Sequence, residues 1–466
     1  MLKKVVNKLF SLWKVKKEFR LKIFFLSLTF LLMSACQAVW RPLKTSIFAK
    51  LVGAEFVPDA KIYSLLFLIP LILIYSKLVD WLRRHQLLYW YTLFHAFGGI
   101  IIYFLLSHPV YGMANTDAGP NRFVGWILYF FMESNAAFMS MSFWSFVDSV
   151  NDPKEAKNYY GLFVAGSKIG SILMAGILYL STTFITIIPD HIMLPRFLLI
   201  GSFLLIGAAI SIYFLMKFVP GYLMHGYEAA YKIEKTKEKT KKKESFKEKL
   251  KKPIEGLIVM IKNPYVLGIF SLVLFYEITI VIFDYIVLKK VSATHGTAGA
   301  LTSFYASYYV IMNLVGLIIT LFGTTPLLRK FGIRKSLFVF PTVSIIILIT
   351  TILYPSTSIM FFALVGLRAL NYALNHPTRE ILYIPTTKAI KFKAKAWTDA
   401  FGGRISKGFG SGINKLMQKL APATALFSSL FLSLGLISGW LIVVFFLSKT
   451  LQKAITNKNV IGEESK

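Results

Sequence analysis

Apolar runs long enough to cross a lipid bilayer recur along this 466-residue chain, and nothing else in it constrains the fold as strongly. A helix needs roughly 20 apolar residues to span the hydrocarbon core. Runs of that kind lie at 21–40, 62–82, 87–107, 122–147, 158–184, 194–218, 265–288, 299–323, 335–354, 357–376, 396–420 and 423–448, about twelve in all. Hydrocarbon offers no partner to a backbone N–H or C=O, so each segment must satisfy its own as a helix. The expected fold class is an all-α polytopic membrane protein. Composition agrees, at 56% hydrophobic and 15% aromatic residues. One cysteine, Cys36, excludes an internal disulfide framework and a cysteine-based metal site.

Against this apolar background the formal charge is +31, which location must explain. Lys and Arg concentrate in an N-terminal arm and in alternate loops: Arg83 and Arg84, Lys154 and Lys157, Arg334 and Lys335, and Lys388 to Lys395. Cationic loops stay cytoplasmic, which predicts that both termini are cytoplasmic. "IFFLSLTFLLMSAC" resembles a signal peptide ending in a lipid-attachment cysteine, but Met33 is unusual for that motif and eleven further spans follow. The run "KIEKTKEKTKKKESFKEKLKK", 232–252, lacks Arg and interleaved aromatics. It reads as a solvated linker near anionic lipid headgroups and not as a nucleic-acid site.

That linker divides the chain into a basic arm (1–20), a first six-helix bundle (21–218), the linker itself (219–264), a second bundle (265–448) and a tail (449–466). Faint echoes cross the midpoint. "SKLVDWLRRHQLLYW" is answered by "TPLLRKFGIRKSLFV", and "AKNYYGLFVAGSKIGSI" by "AKAWTDAFGGRISKGFGSGI". Two six-helix repeats with this loop pattern resemble the major facilitator superfamily, a resemblance that implies that spans 1, 4, 7 and 10 line a central cavity.

Polar residues at helical spacing fall in those spans. Span 1 has Ser27, Ser34, Gln37, Arg41 and Lys44; span 4 has Tyr129, Glu133, Ser140, Trp144 and Asp148; span 7 has Glu277 and Asp284; span 10 has Arg368, Asn371 and Asn375. Span 11 adds a stripe of Arg404, Lys407, Ser411 and Asn414, and span 5 adds Lys168. An ionised side chain in lipid costs about 2.5–3.5 kcal/mol on insertion scales, so these groups should face one another, water or a substrate. Lys44 could instead snorkel. Cations (Arg41, Lys44, Lys168, Arg368, Arg404, Lys407) outnumber acids (Glu133, Glu277, Asp284), which favours a polyanion: Arg forks and Lys point charges bind phosphate oxygens, and acids hold the cations when substrate is absent. Positions 44 and 284 are equivalent in the repeat and opposite in sign, as are 133 and 368, which makes Lys44 and Asp284 a candidate ion pair.

The stretch "LNYALNHPTREILYIPTTKAIKFKAKAWTDAFGGRISKGFGSGI", 370–413, is similar to the nucleotide transporter (ATP/ADP translocase) family of plastids and obligate intracellular bacteria. "RPLK" followed by "GAEFVP", "FWSFV" followed by "EAKNYYGLF", and "FDYIVLKK" share the resemblance. It implies exchange or import of nucleotides across a bacterial inner membrane, with membrane lysines and acids essential. Lys44, Asp284 and Lys407 match family positions, and Glu133 lies in the right neighbourhood. Four positions depart from the family pattern: Asn371 stands where a lysine is usual, His376 where an Asp is, and Pro42 and Thr45 where two further Asp are.

Enzyme motifs are missing from the sequence: neither G-x-x-x-x-G-K-[ST] nor H-E-x-x-H occurs, and the seven His lack metal-ligand spacing. The expectation is therefore no enzyme, no cofactor and no metal. His95 reads as hydrogen-bonded structure before proton relay. Gly410 and Gly412 read as helix-packing positions. Tyr129, Trp144, Tyr160, Tyr372, Asn371 and Asn375 are placed to contact a base, with none singled out. Nine residues form the candidate substrate site: Arg41, Lys44, Glu133, Lys168, Asp284, Arg368, Asn371, Arg404 and Lys407. The expected function is a secondary, monomeric transporter of a phosphorylated anion, a nucleotide first, working by alternating access. The alternatives are a carrier of another organic anion (a cofactor, sugar phosphate or lipid headgroup) and a non-transporting receptor or scaffold.

Overall fold

The computed structural model describes residues 17–151, 153–224, 256–319, 325–387, 390, 394–457 and 459–462. Most of the basic arm and the Lys-rich linker lie outside the described residues, as do the side chains of Lys154 and Lys157. Twelve long helical segments follow one another: α1 (Lys17–Phe48), α2 (Val57–Trp81), α3 (Arg84–Ser107), α4 (Phe123–Val150), α5 (Pro153–Phe184), α6 (Asp190–Phe218), α7 (Pro264–Thr294), α8 (Ala298–Ile318), α9 (Thr325–Leu353), α10 (Thr357–Leu370), α11 (Gly403–Met417) and α12 (Pro422–Thr456). Each coincides with one apolar run of the sequence. Among the described residues no strand occurs, and the only extended pairing is an isolated bridge between Thr386 and Ile461.

Among the described residues nine helical stretches are long and apolar enough to cross a membrane, the first of them, Lys17–Val79, covering α1 and most of α2 together. The chain is a multi-pass membrane protein. Neither α4 nor α11 meets that measure. The reason for α11 is that it has only 15 residues and carries Arg404, Lys407 and Lys415.

Two compact units emerge. The first holds α1 to α6, apart from residues 61–65 of α2, and also residues 292–313, the end of α7 and most of α8. Hydrogen bonds explain that grouping: the Lys50 Nζ donates to Gly296 O at 2.8 Å, Gly299 N to Asp190 Oδ2 at 2.6 Å, and Thr183 and Ser303 share a bond of 2.7 Å.

In this unit α1 packs most extensively, against α5 and α6, and small residues make the approach possible. A Cβ on Gly170 would sit 2.4 Å from the Leu31 carbonyl oxygen, and one on Gly201 would sit 2.1 Å from Trp40 Nε1. Trp40 is buried at the centre and donates to Leu198 O on α6 at 3.1 Å. Cys36 is buried in the middle of α1.

The second unit packs α12 on α9 and α11 on α7. Trp440 lies 4.9 Å from Phe340 between ring centroids, and Tyr265 donates to Leu382 O at 3.0 Å. A Cβ on Gly410 would meet Val281 at 3.0 Å and the Ile278 carbonyl at 3.2 Å, so the packing role expected of it holds. Gly412 has nothing within 4 Å and does not share that role.

Lys22 is a buried charge outside the polar stripes. Its ammonium donates to Val150 O at 2.6 Å and Leu223 O at 2.7 Å. Val150 is the last residue of α4, so the ammonium caps carbonyls at a helix C-terminus, where positive charge is favoured. Lys22→Met keeps the length and removes the donor. Hydrogen bonds to charged groups are worth about 1.5–3 kcal/mol each. This substitution should lower the melting temperature of the detergent-purified protein by several degrees, measured by scanning fluorimetry; an unchanged melting curve would show that the cap is dispensable.

Candidate functional site

In the first unit the site grows from one face of α1. Gln37, Arg41 and Lys44 recur at i, i+4 and i+7, the spacing that stacks side chains on one side of a helix. Pro42 lies between the two cations and removes a backbone donor, freeing one carbonyl a turn earlier. Facing them, α4 presents Tyr129, Glu133 and Asn135. Lys44 and Glu133 form an ion pair, with side chains 15% and 28% exposed. The Lys44 ammonium also lies 4.8 Å from the centroid of Tyr129, a cation–π contact that suits a charge withdrawn from water. Arg41 Nε donates to Gln37 Oε1 at 3.1 Å, and Gln37 in turn donates to Asn135 Oδ1. The alternative that Lys44 snorkels is therefore set aside: its Nζ is engaged inside the bundle. Tyr129, buried beneath Lys44, is no open face for a base.

Lys168, half-buried on α5, donates to Asn313 Oδ1 on α8 at 2.8 Å, and Asn313 donates to Tyr309 O at the same distance. Asn313 escaped the sequence reading because a lone amide in an apolar run carries no spacing signal. His95 bonds Tyr91 O at 2.9 Å and Ser134 Oγ at 3.3 Å, which fits the structural role expected of it.

The second unit repeats the arrangement with the signs exchanged. Asp284 on α7 pairs with Arg368 on α10, both side chains 24% exposed. Offsets of 240 residues from Lys44 to Asp284 and 235 from Glu133 to Arg368 place these pairs at matching points of the two halves. This corrects the candidate pairing of Lys44 with Asp284: each finds its partner inside its own unit.

Glu277, two turns before Asp284 on α7, lies 3.7 Å from Lys407 on α11. The Lys407 side chain is 50% exposed. Arg404 is half-buried one turn earlier. The polar stripe of α11 divides in two. Ser411 and Asn414 are buried, and Asn414 donates to Val281 O at 3.1 Å, so this half of the stripe packs on α7. Asn371 is buried and accepts from Asn375 at 2.8 Å, an internal amide pair.

Local backbone marks the same places. Single π-helical turns occur at Ala49–Gly53, Asn371–Asn375 and Thr398–Gly402. The first follows Lys44, the second follows Arg368 and the third precedes Arg404. Such turns are frequent where a helix is adapted to a function. The sequence shows no periodic sign of them.

A sequence profile described as "TLC ATP/ADP transporter" matches residues 122–368 and 365–451. The chain is 24% identical over 470 residues to ADP,ATP carrier protein 1 of Rickettsia prowazekii (strain Madrid E), covering 90% of this chain and 91% of that one. It is 23% identical over 454 residues to ADP,ATP carrier protein 1 of Chlamydia muridarum (strain MoPn / Nigg), covering 87% and 83%. Among solved structures, a bacterial homologue of the lysosomal transporter Spinster aligns with a TM-score of 0.58 at 13% identity, covering 94% of this chain and 98% of that one. The nucleoside transporter NupG aligns at 0.55 and 16% identity, covering 92% and 98%. At these identities the structures establish the fold, an all-α, major-facilitator-like architecture.

The pairs generate a stability prediction. Removing one partner of a buried pair costs about 3–5 kcal/mol because the other charge is left uncompensated; these pairs are partly exposed and fall below that. Lys44→Met and Glu133→Gln should each lower the melting temperature, and the double variant by clearly less than the sum. Additive effects would contradict the pairing. The same cycle on Lys407 and Glu277 should give a coupling close to zero, since that pair is long and open to water.

Proposed function

The chain belongs to the TLC ATP/ADP transporter family, and from that premise we propose that it is a secondary carrier of nucleotides, exchanging ATP with ADP or importing nucleotide by alternating access. Homology over most of the chain to ADP,ATP carriers supports the substrate class. The observation that carries the mechanism is the pair of intra-unit ion pairs, Lys44–Glu133 and Arg368–Asp284, each bridging two helices inside the membrane.

In this proposal Arg41, Lys44, Lys168, Arg368, Arg404 and Lys407 supply positive charge to the phosphates. Glu133, Asp284 and Glu277 hold some of these cations between substrates. A phosphate chain brings two or more negative charges and two or three non-bridging acceptor oxygens per group, enough to replace a carboxylate as a partner. Exchange of partner, carboxylate for phosphate, keeps every charge compensated while the ligand is bound. It also gives the ligand a different affinity for the two states of a pair, the condition under which binding can shift a conformation. Lys407, half-exposed, is placed to meet the anion first. The substrate is moved without covalent change, and no cofactor enters the cycle. Asn371 is assigned a supporting role, an amide bonded to Asn375 that shapes the π turn beside Arg368.

We further place both termini in the cytoplasm, from the distribution of Lys and Arg, and the protein in a bacterial inner membrane as a monomer, the default for this architecture. A carrier of a different organic phosphate is the second reading. Asn371 and His376 favour it: Asn371, where the family usually has a lysine, lowers the positive charge beside Arg368, and His376, where an Asp is usual, removes a carboxylate from the same region.

Uptake of labelled ATP into bacterial cells expressing the chain tests the proposal. Saturable uptake, release of the label on addition of unlabelled ADP, and competition by nucleotides over free phosphate are expected. Lys44→Gln should reduce uptake at least ten-fold with normal membrane insertion. Uptake that no nucleotide competes with, but another organic phosphate does, would favour the second reading.

A further inference from the structure

Part of the α4 polar stripe lies beyond the ion pair and is not used by the phosphate site. Trp144 is eleven residues past Glu133, which is about three turns. At 100° per residue the two side chains leave α4 within roughly 20° of one another, separated by about 16 Å along the axis. That separation is on the scale of an extended nucleotide, measured from its phosphates to its base.

What surrounds Trp144 is organised. Its half-buried ring meets Phe30 of α1 edge-on at 5.6 Å and Tyr160 of α5 at 5.1 Å. Behind it Phe30 and Phe143 stack at 4.2 Å and 9°, and both are buried. Tyr160, also half-buried, donates its hydroxyl proton to Asp148 Oδ1 at 2.6 Å. Asp148 is exposed and sits one turn past Trp144. A tryptophan of the interfacial belt would face headgroups with its ring free. This ring is wedged in the groove between α1, α4 and α5, and its neighbour is an exposed carboxylate, which lipid would not accept without cost.

Resting on the reading of the chain as a nucleotide carrier, we propose that Trp144, Tyr160 and Asp148 form the base subsite of the first unit, and that it selects a base with an exocyclic amino group, as in adenine or cytosine. The half-exposed rings offer an aromatic face on which a planar base stacks. The Tyr160 hydroxyl fixes the Asp148 carboxylate through one oxygen and leaves Oδ2 as an acceptor. A carboxylate accepts from an amino group and repels a ring carbonyl, so it separates amino bases from keto bases of the same shape. The other base candidates differ. Tyr129 is buried under Lys44, Asn371 and Asn375 bond each other, and Tyr372, which is exposed, belongs to the second unit. The phosphates anchored near Lys44 and the base on Trp144 would be read by one helix, α4, which fixes their spacing.

The test compares competition by ATP and ITP against labelled ATP, the two differing by an amino group and a carbonyl at the same ring position. Wild-type protein should prefer ATP. Asp148→Asn should collapse that preference several-fold or more. Trp144→Ala should raise the apparent KM for ATP about ten-fold, as expected for loss of base stacking, and Trp144→Phe should recover most of it. The ratio of ATP to ITP within one variant is independent of how much protein folds, so a folding defect cannot imitate the Asp148 result. An unchanged ratio in Asp148→Asn, or a Trp144→Ala variant with wild-type KM, overturns the subsite and leaves the carrier intact. Absence of nucleotide uptake by the wild type takes down the underlying reading as well.

Discussion

A charge placed among apolar helices must have a partner, and that requirement shapes this molecule more than any other. At mid-bundle the cost of an unpaired ammonium or carboxylate exceeds the gain from most packing contacts. The chain meets it with ion pairs that each bridge two helices: Lys44 to Glu133 between α1 and α4, and Arg368 to Asp284 between α10 and α7. Around them the apolar surfaces pack closely, helped by glycines such as Gly170, Gly201 and Gly410. The pairs are polar points within otherwise apolar contacts, where an incoming anion has something to compete for.

The two halves solve the same problem with opposite signs. In the first unit the helix that begins the bundle carries the cation and its fourth helix the acid; in the second, the corresponding helices carry acid and cation. Charge at each matched position is inverted while the bridge is kept. A pair preserved with its polarity reversed is explained by a need for compensation at that depth. The inversion also changes what is left if the pair opens: a Lys ammonium near Tyr129 in one unit and an Arg guanidinium beside a π turn in the other. A point charge and a planar fork treat phosphate oxygens differently, so the two half-sites are not interchangeable.

Much of this was legible in the sequence. Twelve apolar runs became twelve helices because backbone satisfaction in hydrocarbon leaves no alternative. The stripes in spans 1, 4, 7 and 10 identified the paired residues because 3.6-residue periodicity survives in any straight helix. Partner choice was not legible. Matching positions in a repeat made Lys44 and Asp284 look like a pair, whereas pairing is set by which helices touch, and α1 touches α4. The α11 stripe misled for a related reason: periodicity reports a shared face and does not say whether water or α7 covers it, and α7 covers Ser411 and Asn414. Lys22 sits just inside the start of the first apolar run, where a lysine reads as a flank, and its burial depends on carbonyls 128 and 201 residues away. The π turns depend on local packing that composition does not encode.

The central claim is that phosphate replaces carboxylate as the partner of the membrane cations. Cryo-electron microscopy of the protein with and without ATP examines this directly. With ATP bound, Lys44 Nζ should lie within hydrogen-bonding distance of a phosphate oxygen and should have left Glu133. A map that places the phosphates elsewhere, with Lys44–Glu133 and Arg368–Asp284 both intact, would contradict it.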